Sequence, residues 1–309
     1  MPLINEIHLD AVLTNISRAV TNSELVATKV WPVVPVKKDS DVYYRYDQSN
    51  LRPDLTEWAP KTKAKEINWS VTRDPYKVER HALQELVEDD EKQNQDSPID
   101  VMADAAMIIA EKLMIRREKR LATTLQTLAN YDADAQPALA LADQWDNFTS
   151  SDSDPNQDVA NARTIIFKKT FRKPNLMVLP REIYERVREH PKVIERIKYT
   201  QVGVLTPQLL STLWDIDEVV IAGGGENTAN EGQADVLSYI WGKNVYIGYV
   251  TPRAGLKQPS WGYHLQSQAM QTERWRDDER KGDVVRTSYK DTPELVTKSA
   301  GYIIQTAIA

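Results

Sequence analysis

The sequence predicts an α+β protein, and three observations predict it. One long stretch, 97–130, repeats its apolar residues every three or four positions, as a helix with one buried face does. Several shorter stretches alternate apolar and polar residues with period two, as half-buried strands do. The two kinds of pattern follow no β-α-β rhythm, which argues against a doubly wound parallel sheet.

The long helix organises the rest. Ser97 is suited to the N-cap, Pro98 to the first helical position, and Asp100 completes a Ser-x-x-acid pattern. Met102, Ala105, Ala106, Ile109, Leu113, Leu121, Leu125 and Leu128 mark its buried face. Glu91, Asp96, Asp100 and Asp104 cluster near its start, whereas Lys112, Arg116, Arg117, Lys119 and Arg120 lie further along; this polarity complements the helix dipole. With no Pro or Gly over 99–130, the helix would run roughly 45–50 Å at 1.5 Å per residue. It has the proportions of a strut.

Ahead of it, residues 1–30 carry a short apolar pattern (Ile7, Leu9, Val12, Leu13, Ile16, Val20), readable as a helix on its own core or as an arm on another subunit. The prolines of Trp31-Pro32-Val33-Val34-Pro35-Val36 impose an extended path. Val42, Tyr44 and Tyr46 alternate with Tyr43 and Arg45, and a returning strand is expected from Ile67 to Val71 or beyond. An isolated two-stranded excursion is marginal in water, so it needs support, and a neighbouring subunit is one source. Lys61, Lys63 and Lys65 near its tip share a face of an extended segment, either as a solvated basic edge or for charge pairing between subunits. Residues 81–90 read as a short amphipathic helix built on Leu83, Leu86 and Val87.

After the long helix, 131–161 reads as a surface loop rich in Asp, Ser, Ala, Asn and Pro, with some structure around Ala138-Leu139 and Trp145. Short strands or helix ends are expected at 164–167 and 176–179. Helices are expected from Pro180 to about His190, from Pro191 through Tyr199, and at 207–213. Residues 168–198 hold ten Lys/Arg against four Glu, a basic surface for nucleic acid, for an acidic partner, or simply for solvent. Strands are expected at 218–222, 236–241, 244–250 and 261–269, with strand-like alternation at 283–290 and 297–307.

Bulk composition limits the function. The 309 residues suffice for a sizeable core in two lobes. Hydrophobic residues make up 41% and charges are mixed, which indicates a folded protein, and the net charge of −6 offers no global attraction for nucleic acid. Cysteine is absent, which excludes disulfides, thiolate metal sites and Cys nucleophiles. No signal peptide or membrane-length apolar run is present, consistent with a cytoplasm-like site of synthesis.

No chemistry-bearing motif closes. Gly223-Gly224-Gly225 follows the apolar Val219-Val220-Ile221-Ala222, but Glu226-Asn227-Thr228 stands where a Walker or dinucleotide loop needs Gly-Lys-Ser/Thr or a third Gly. A turn exploiting positive φ is the plainer reading. His8, His81, His190 and His264 lack metal-ligand spacing, no Gly-x-Ser-x-Gly elbow occurs, and Asp89/Asp90 and Asp277/Asp278 sit among Lys and Arg as surface charge does. The expectation is a non-enzyme with no cofactor and no metal. Eight Trp and thirteen Tyr against three Phe suit either interfaces or a core with satisfied polar atoms.

The order of parts resembles the major capsid proteins of tailed bacteriophages, over almost the whole chain. The resemblance rests on Val30-Trp31-Pro32-Val33-Val34-Pro35-Val36 leading to Tyr43-Tyr44-x-Tyr46-Asp47, then Ala82-Leu83 and Val87-Glu88-Asp89-Asp90-Glu91, then Arg117-Glu118-x-x-Leu121-Ala122. Later come Leu179-Pro180, His190-Pro191-x-Val193, Ile197-Lys198-Tyr199, Ile240-Trp241-Gly242-Lys243 and Pro259-Ser260-Trp261-Gly262-Tyr263. Each string is weak alone; their order and spacing are specific.

The resemblance implies the Hong Kong 97-type coat fold shared with encapsulins: an N-terminal arm (1–36), an extended β-hairpin loop (37–80), a peripheral lobe (81–179) with spine helix 97–130, an axial lobe (180–262), and a return to the peripheral lobe (263–309). It implies a virion shell, assembled in the host bacterial cytoplasm from pentamers and hexamers of this one chain around double-stranded DNA. Shells of identical chains use heterologous contacts that close into rings. Tyr44, Arg45, Lys61, Lys63, Lys65, Arg116 and Arg117 are the inter-subunit contact candidates. Scaffolding and portal proteins, and in some shells decoration proteins, are the implied partners, with no membrane. The arm-like segment begins almost at Met1, so a separate scaffolding protein is expected, and no motif assigns a covalent cross-link. The rival readings are an encapsulin-like compartment and, from another class, a soluble nucleotide-using enzyme built on Gly223–Gly225.

Overall fold

The long helix is present, but it starts and stops inside the expected bounds. The computed structural model describes residues 8–19, 22–46, 48–51, 53, 56–64, 66, 71–94, 100–198, 205–230, 232–253 and 258–309; Ser97, Pro98, Lys65 and the strand residues expected over 67–70 lie outside these. The first half contains β1 (His8–Leu9), α1 (Ala11–Ala19), α2 (Ala27–Val30), β2 (Val33–Pro35), β3 (Ser40–Tyr46), β4 (Val71–Lys77), β5 (Glu79–Glu88), α3 (Asp89–Gln93) and α4 (Val101–Gln126). Then come α5 (Pro155–Thr170), β6 (Leu176–Pro180), α6 (Arg181–Glu189), α7 (Pro191–Ile197), α8 (Pro207–Trp214), β7 (Glu218–Ala222), β8 (Gly225–Asn227) and β9 (Leu237–Tyr239). The chain closes with β10 (Val245–Gly248), β11 (Gly262–Asp277), β12 (Gly282–Leu295) and β13 (Gly301–Ile304).

Asp100 is itself the N-cap of α4: its backbone is extended and its carboxylate accepts from Met102 N and Ala103 N. At the other end Thr127 leaves helical geometry, and two side chains satisfy carbonyls of the last turn: Asn130 Nδ2 donates to Thr124 O and Tyr131 OH to Leu125 O, each at 2.7 Å. The residues to 130 continue as a 3₁₀ turn, Leu128–Asn130.

α4 is buried at both ends against different bodies. Ala106, Ile109 and Leu113 pack with Leu13 of α1 and with Val285 and Tyr289 of β12. Leu121, Ala122 and Leu125 pack with Val26, Val30, Trp31, Trp241 and Trp261. The first body is a five-stranded sheet of order β1-β11-β12-β5, with β2 added parallel to β11. At about 3.3 Å per residue, the 16-residue β11 spans about 50 Å. Register shifts at Gln266/Gln268 and Gln268/Gln271 interrupt its pairing with β12.

The second body is the four-stranded sheet β13-β10-β6-β7, in which only β6 and β7 pair parallel. It buries Met177, Leu179, Val245, Ile247 and Ile304 against Val159, Ile166, Ile183, Val187, Leu210 and Trp214 of α5, α6 and α8. Between the bodies Trp31 and Trp261 meet edge to face, with ring centroids 6.0 Å apart. Glycine makes room for them. A Cβ on Gly262 would lie 2.4 Å from the Trp31 ring, and one on Gly301 would lie 2.1 Å from Trp261 Nε1.

Four local expectations are corrected. Residues 81–88 are strand, not helix, because β5 pairs with β12 in unbroken register from Glu79↔Asp291 to Glu88↔Gly282; the long partner strand overrides local propensity. Residues 155–161 are not loop: they open α5, whose Asp154 carboxylate accepts from Asn156 N and Gln157 N with Pro155 in the first turn, and 164–167, expected as strand or helix end, lie in its last turns. The strands over 261–269 and 283–290 are much longer than expected. The alternation of 297–307 resolves into a 3₁₀ turn, Lys298–Ala300, and β13, and β13 joins the four-stranded sheet instead of the β11–β12 ribbon. The segment preceding the hairpin is folded against its own chain, with Thr14 Oγ1 donating to Thr272 O at 3.2 Å.

Candidate assembly surfaces

The middle of α4, between its two apolar ends, carries charge. Glu118 is fully buried. Its Oε1 accepts from Val26 N at 3.0 Å and Trp241 Nε1 at 2.6 Å, and its Oε2 from Ala27 N at 2.6 Å. The carboxylate therefore serves as N-cap to α2 from outside that helix, and joins the N-terminal segment, α4 and the turn before β10. Burial pushes its pKa up, against the pull of those three donors.

One residue back, Arg117 lies 4.4 Å above the Tyr289 ring, with Nε 2.7 Å from Asp291 Oδ2. Arg120 pairs with the other Asp291 oxygen and its NH2 lies 3.2 Å from the Tyr289 hydroxyl. Asp291 is 1% exposed. Beside this cluster His264 is buried, its ring 6.4 Å from that of Trp31; desolvation holds its pKa down to about 4, against the attraction of Asp291 and helped by Arg117 and Arg120.

The expected contact candidates thus fall into two groups. Arg117 is committed within its own chain, whereas Arg116, one step round the helix, is exposed. On the hairpin, β3 and β4 pair antiparallel from Ser40↔Lys77 to Tyr46↔Val71. Its base is docked: Tyr43 OH donates to Leu295 O at 3.0 Å, and Tyr76 packs with Tyr263, Leu265 and Val296. Arg45 pairs with Asp74 at 2.6 Å, and Arg73 lies over the Tyr44 ring at 5.5 Å. The tip is exposed. Lys61 and Lys63 face solvent, and Lys61 has positive φ in a turn where Trp58 Nε1 donates to Thr62 O at 2.6 Å and Thr62 Oγ1 to Ala59 O at 2.7 Å.

The other features absorb into structure. Gly223, Gly224 and Gly225 do not adopt the positive φ expected of them. A Cβ on Gly223 would displace the Glu24 carboxylate, whose Oε2 lies 1.9 Å from that position, and one on Gly224 would press on Leu25 Cδ2 at 3.0 Å. Gly223 N donates to Glu24 O at 3.3 Å, so this backbone N–H is already used by the N-terminal segment. His190 accepts from Lys192 N as the cap of α7 and contacts Ser153 Oγ at 3.1 Å. The basic run over 168–198 is largely neutralised within the chain: Lys169 pairs with Asp132 and Asp134, Lys173 with Asp215, Arg188 with Glu185, and Lys192 with Asp154. Asp89 grips Arg276 through two 2.6 Å contacts, which hold its pKa down to about 2.

Aromatic residues divide sharply. Trp31, Trp145, Trp214, Trp241, Trp261 and Trp275 are buried, while Phe148, Phe167, Phe171 and Trp58 are exposed. Among the described residues no group of three His, Asp or Glu converges to hold a metal, and no helix is long and apolar enough to cross a membrane.

A long helix laid on an extended β ribbon, a projecting hairpin at one end and a compact α/β lobe at the other define the Hong Kong 97-type capsid fold, common to phage coats and encapsulins. Within that class the chain is similar to the major capsid protein of Burkholderia phage BcepMu, with 28% identity over 302 residues covering 96% of this chain and 95% of that protein. It is 26% identical over 245 residues to the major capsid protein of Pseudomonas phage JBD67, covering 78% of this chain and 77% of the other. Among solved structures, a phage-related protein of Bordetella bronchiseptica RB50 superposes with a TM-score of 0.79 at 28% identity over 97% of both chains. The capsid of cyanophage P-SCSP1u gives a TM-score of 0.58 at 10% identity, covering 89% of this chain and 86% of its own. The encapsulin of Synechococcus elongatus gives 0.51 at 9%, covering 93% and 88%. No protein-family model matches the chain.

Proposed function

We propose that this chain is the major capsid protein of a tailed phage, a structural protein without catalytic function that assembles into the icosahedral shell of the virion. The observation that carries this is full-length similarity to the BcepMu coat protein, 28% identity over 96% of the chain. The docked base and exposed tip of the hairpin and the long helix support it.

In this reading, copies associate as pentamers and hexamers around double-stranded DNA in the host cytoplasm, with portal, scaffolding and in some shells decoration proteins as partners. Residues 37–80 form the extended loop, α4 is the spine, and the lobe around 180–262 faces the five- and six-fold axes. Tyr44, Lys61, Lys63 and Arg116 make contacts between subunits. An encapsulin-like shell shares the fold, but the extended sequence similarity lies with phage coats. Negative-stain microscopy of the purified chain tests the proposal. Rings or closed shells are expected. A monodisperse small oligomer that binds a nucleotide would overturn it in favour of an enzyme.

A further inference from the structure

α5 has two stripes without charge, and a surface helix needs only one. Val159, Ala162 and Ile166 fill the core of the α/β lobe. A second stripe, Ala160, Thr164, Phe167 and the C-cap residue Phe171, follows helical spacing along the outward side, and all four residues are exposed. Phe167 is 51% exposed and Phe171 61%, and their rings meet edge to face with centroids 6.2 Å apart. Phe171 ends the helix in left-handed geometry at φ 50°, its N–H donating to Phe167 O at 2.8 Å. Glycine or asparagine takes that conformation with less strain. The chain thus holds a large apolar side chain in solvent at a position where its backbone is disfavoured.

A groove of about 520 Å³ runs beside this stripe, walled by Ala160, Thr164, Phe167 and Pro174 and by three cations, with no carboxylate among the described residues of its wall. Two of those cations, Arg163 and Lys173, pair with Asp215, and Asp217 lies 3.7 Å from Lys173. Lys168, and Arg172 next to Phe171, are exposed and have no ion-pair partner among the described residues. Four cations against two carboxylates leave the face with two positive charges in excess. An aliphatic ridge flanked by carboxylates complements such a surface. A nucleic acid complements it less, because bases need open ring faces and here the edge of one phenylalanine covers the face of the other. A second copy also complements it less: the exposed acidic and apolar start of α4, Asp104, Met107, Ile108 and Glu111, exposes Lys112 beside them, which would be set against Lys168 and Arg172.

We propose that this face of α5 docks an acidic amphipathic helix of a different protein, whose aliphatic side chains pack on Phe167 and Phe171 and into the groove, and whose carboxylates meet Lys168 and Arg172. The proposal goes beyond the shell reading and does not depend on assembly.

The purified full-length chain, titrated into a fluorescein-labelled helical peptide of Ala, Leu and Glu with the leucines on one face, tests this by fluorescence anisotropy. Saturable binding is expected, weakened about tenfold or more by Phe171→Gly and by the double variant Lys168→Glu/Arg172→Glu. Phe171→Gly should keep the wild-type circular dichroism spectrum and melt no lower than wild type, since glycine relieves the left-handed backbone. The same peptide with Lys in place of Glu should not saturate. A Glu peptide that fails to bind wild type, variants that bind it as wild type does, a Phe171→Gly chain that melts lower, or equal binding of the Lys peptide would each overturn the proposal. A single-stranded oligonucleotide that binds wild type and loses affinity in both variants would overturn it in favour of nucleic acid. Self-association of wild type that Phe171→Gly abolishes would overturn it in favour of a second copy.

Discussion

Glu118→Ala is the most informative single perturbation of the fold. The side chain is fully buried and satisfies three N–H donors belonging to two other parts of the chain, Val26 N, Ala27 N and Trp241 Nε1. Alanine strands all three. A buried donor left unmade costs about 1–3 kcal/mol. The groove of about 350 Å³ beside Glu118, lined by Asn22, Leu25, Met114 and Arg117, can admit water to part of the site, so the lower half of the summed range applies: about 3–6 kcal/mol. Glu118→Gln separates charge from shape. With its carbonyl at the Oε1 position it keeps Val26 and Trp241 but turns an NH₂ toward Ala27 N, which should cost about 1–3 kcal/mol. Urea unfolding gives both values. Hydrogen exchange should show faster exchange at Val26 and Ala27 in both variants, with α5 and β6 unaffected. If Glu118→Ala lowers stability by less than about 1 kcal/mol, the reasoning that this carboxylate pins the N-terminal segment to α4 is wrong.

Three further outcomes follow from the same region. Asp291→Asn removes the counter-charge of Arg117 and Arg120, both almost buried, and should destabilise by about 3–5 kcal/mol in thermal unfolding; a loss under about 1 kcal/mol would show that the arginines find water instead. His264 is neutral in the fold with a pKa of about 4 against an ordinary 6.5. The unfolded chain thus binds a proton first as pH falls, and stability present above pH 6.5 should be lost between 6.5 and 4, by about 3 kcal/mol in all. The difference between wild type and His264→Gln across that window measures it, and parallel curves would refute it. Gly262→Ala puts a methyl 2.4 Å from the buried Trp31 ring and should destabilise by about 1–3 kcal/mol, read from the denaturant midpoint; an unchanged midpoint would mean the tryptophan pair is free to move.

The parts of the fold that were legible in the sequence share a property: their signal is local. The α4 periodicity, the Pro191 and Pro207 helix starts and the apolar run of β7 are each written within one element. Asp154-Pro155 carried an equally local cap signal for α5 that compositional reading of a loop obscured. What was hidden depends on distant partners. Residues 81–88 are as suited to a helix as to a strand until β12 supplies ten paired residues. The three glycines at 223–225 read as a turn, and only the fold reveals Glu24 and Leu25 pressed against them. Arg117 read as a surface contact because nothing near it in sequence announces Asp291.

The placement of charge along α4 has a mechanical meaning. Apolar contacts at its two ends resist separation but not sliding, since they have little direction. The polar contacts of Arg117, Glu118 and Arg120 at mid-length have direction. A turn of the helix about its axis by about 20° would carry these side chains about 2 Å along the rim of a cylinder some 10–12 Å wide, past the tolerance of hydrogen bonds of 2.6–3.0 Å. The helix is a keyed shaft: it can flex where it is greased and cannot spin where it is pinned. A twist of the ribbon against the tryptophan block must therefore either break these polar contacts or be taken up by the helix beyond them, at its apolar ends.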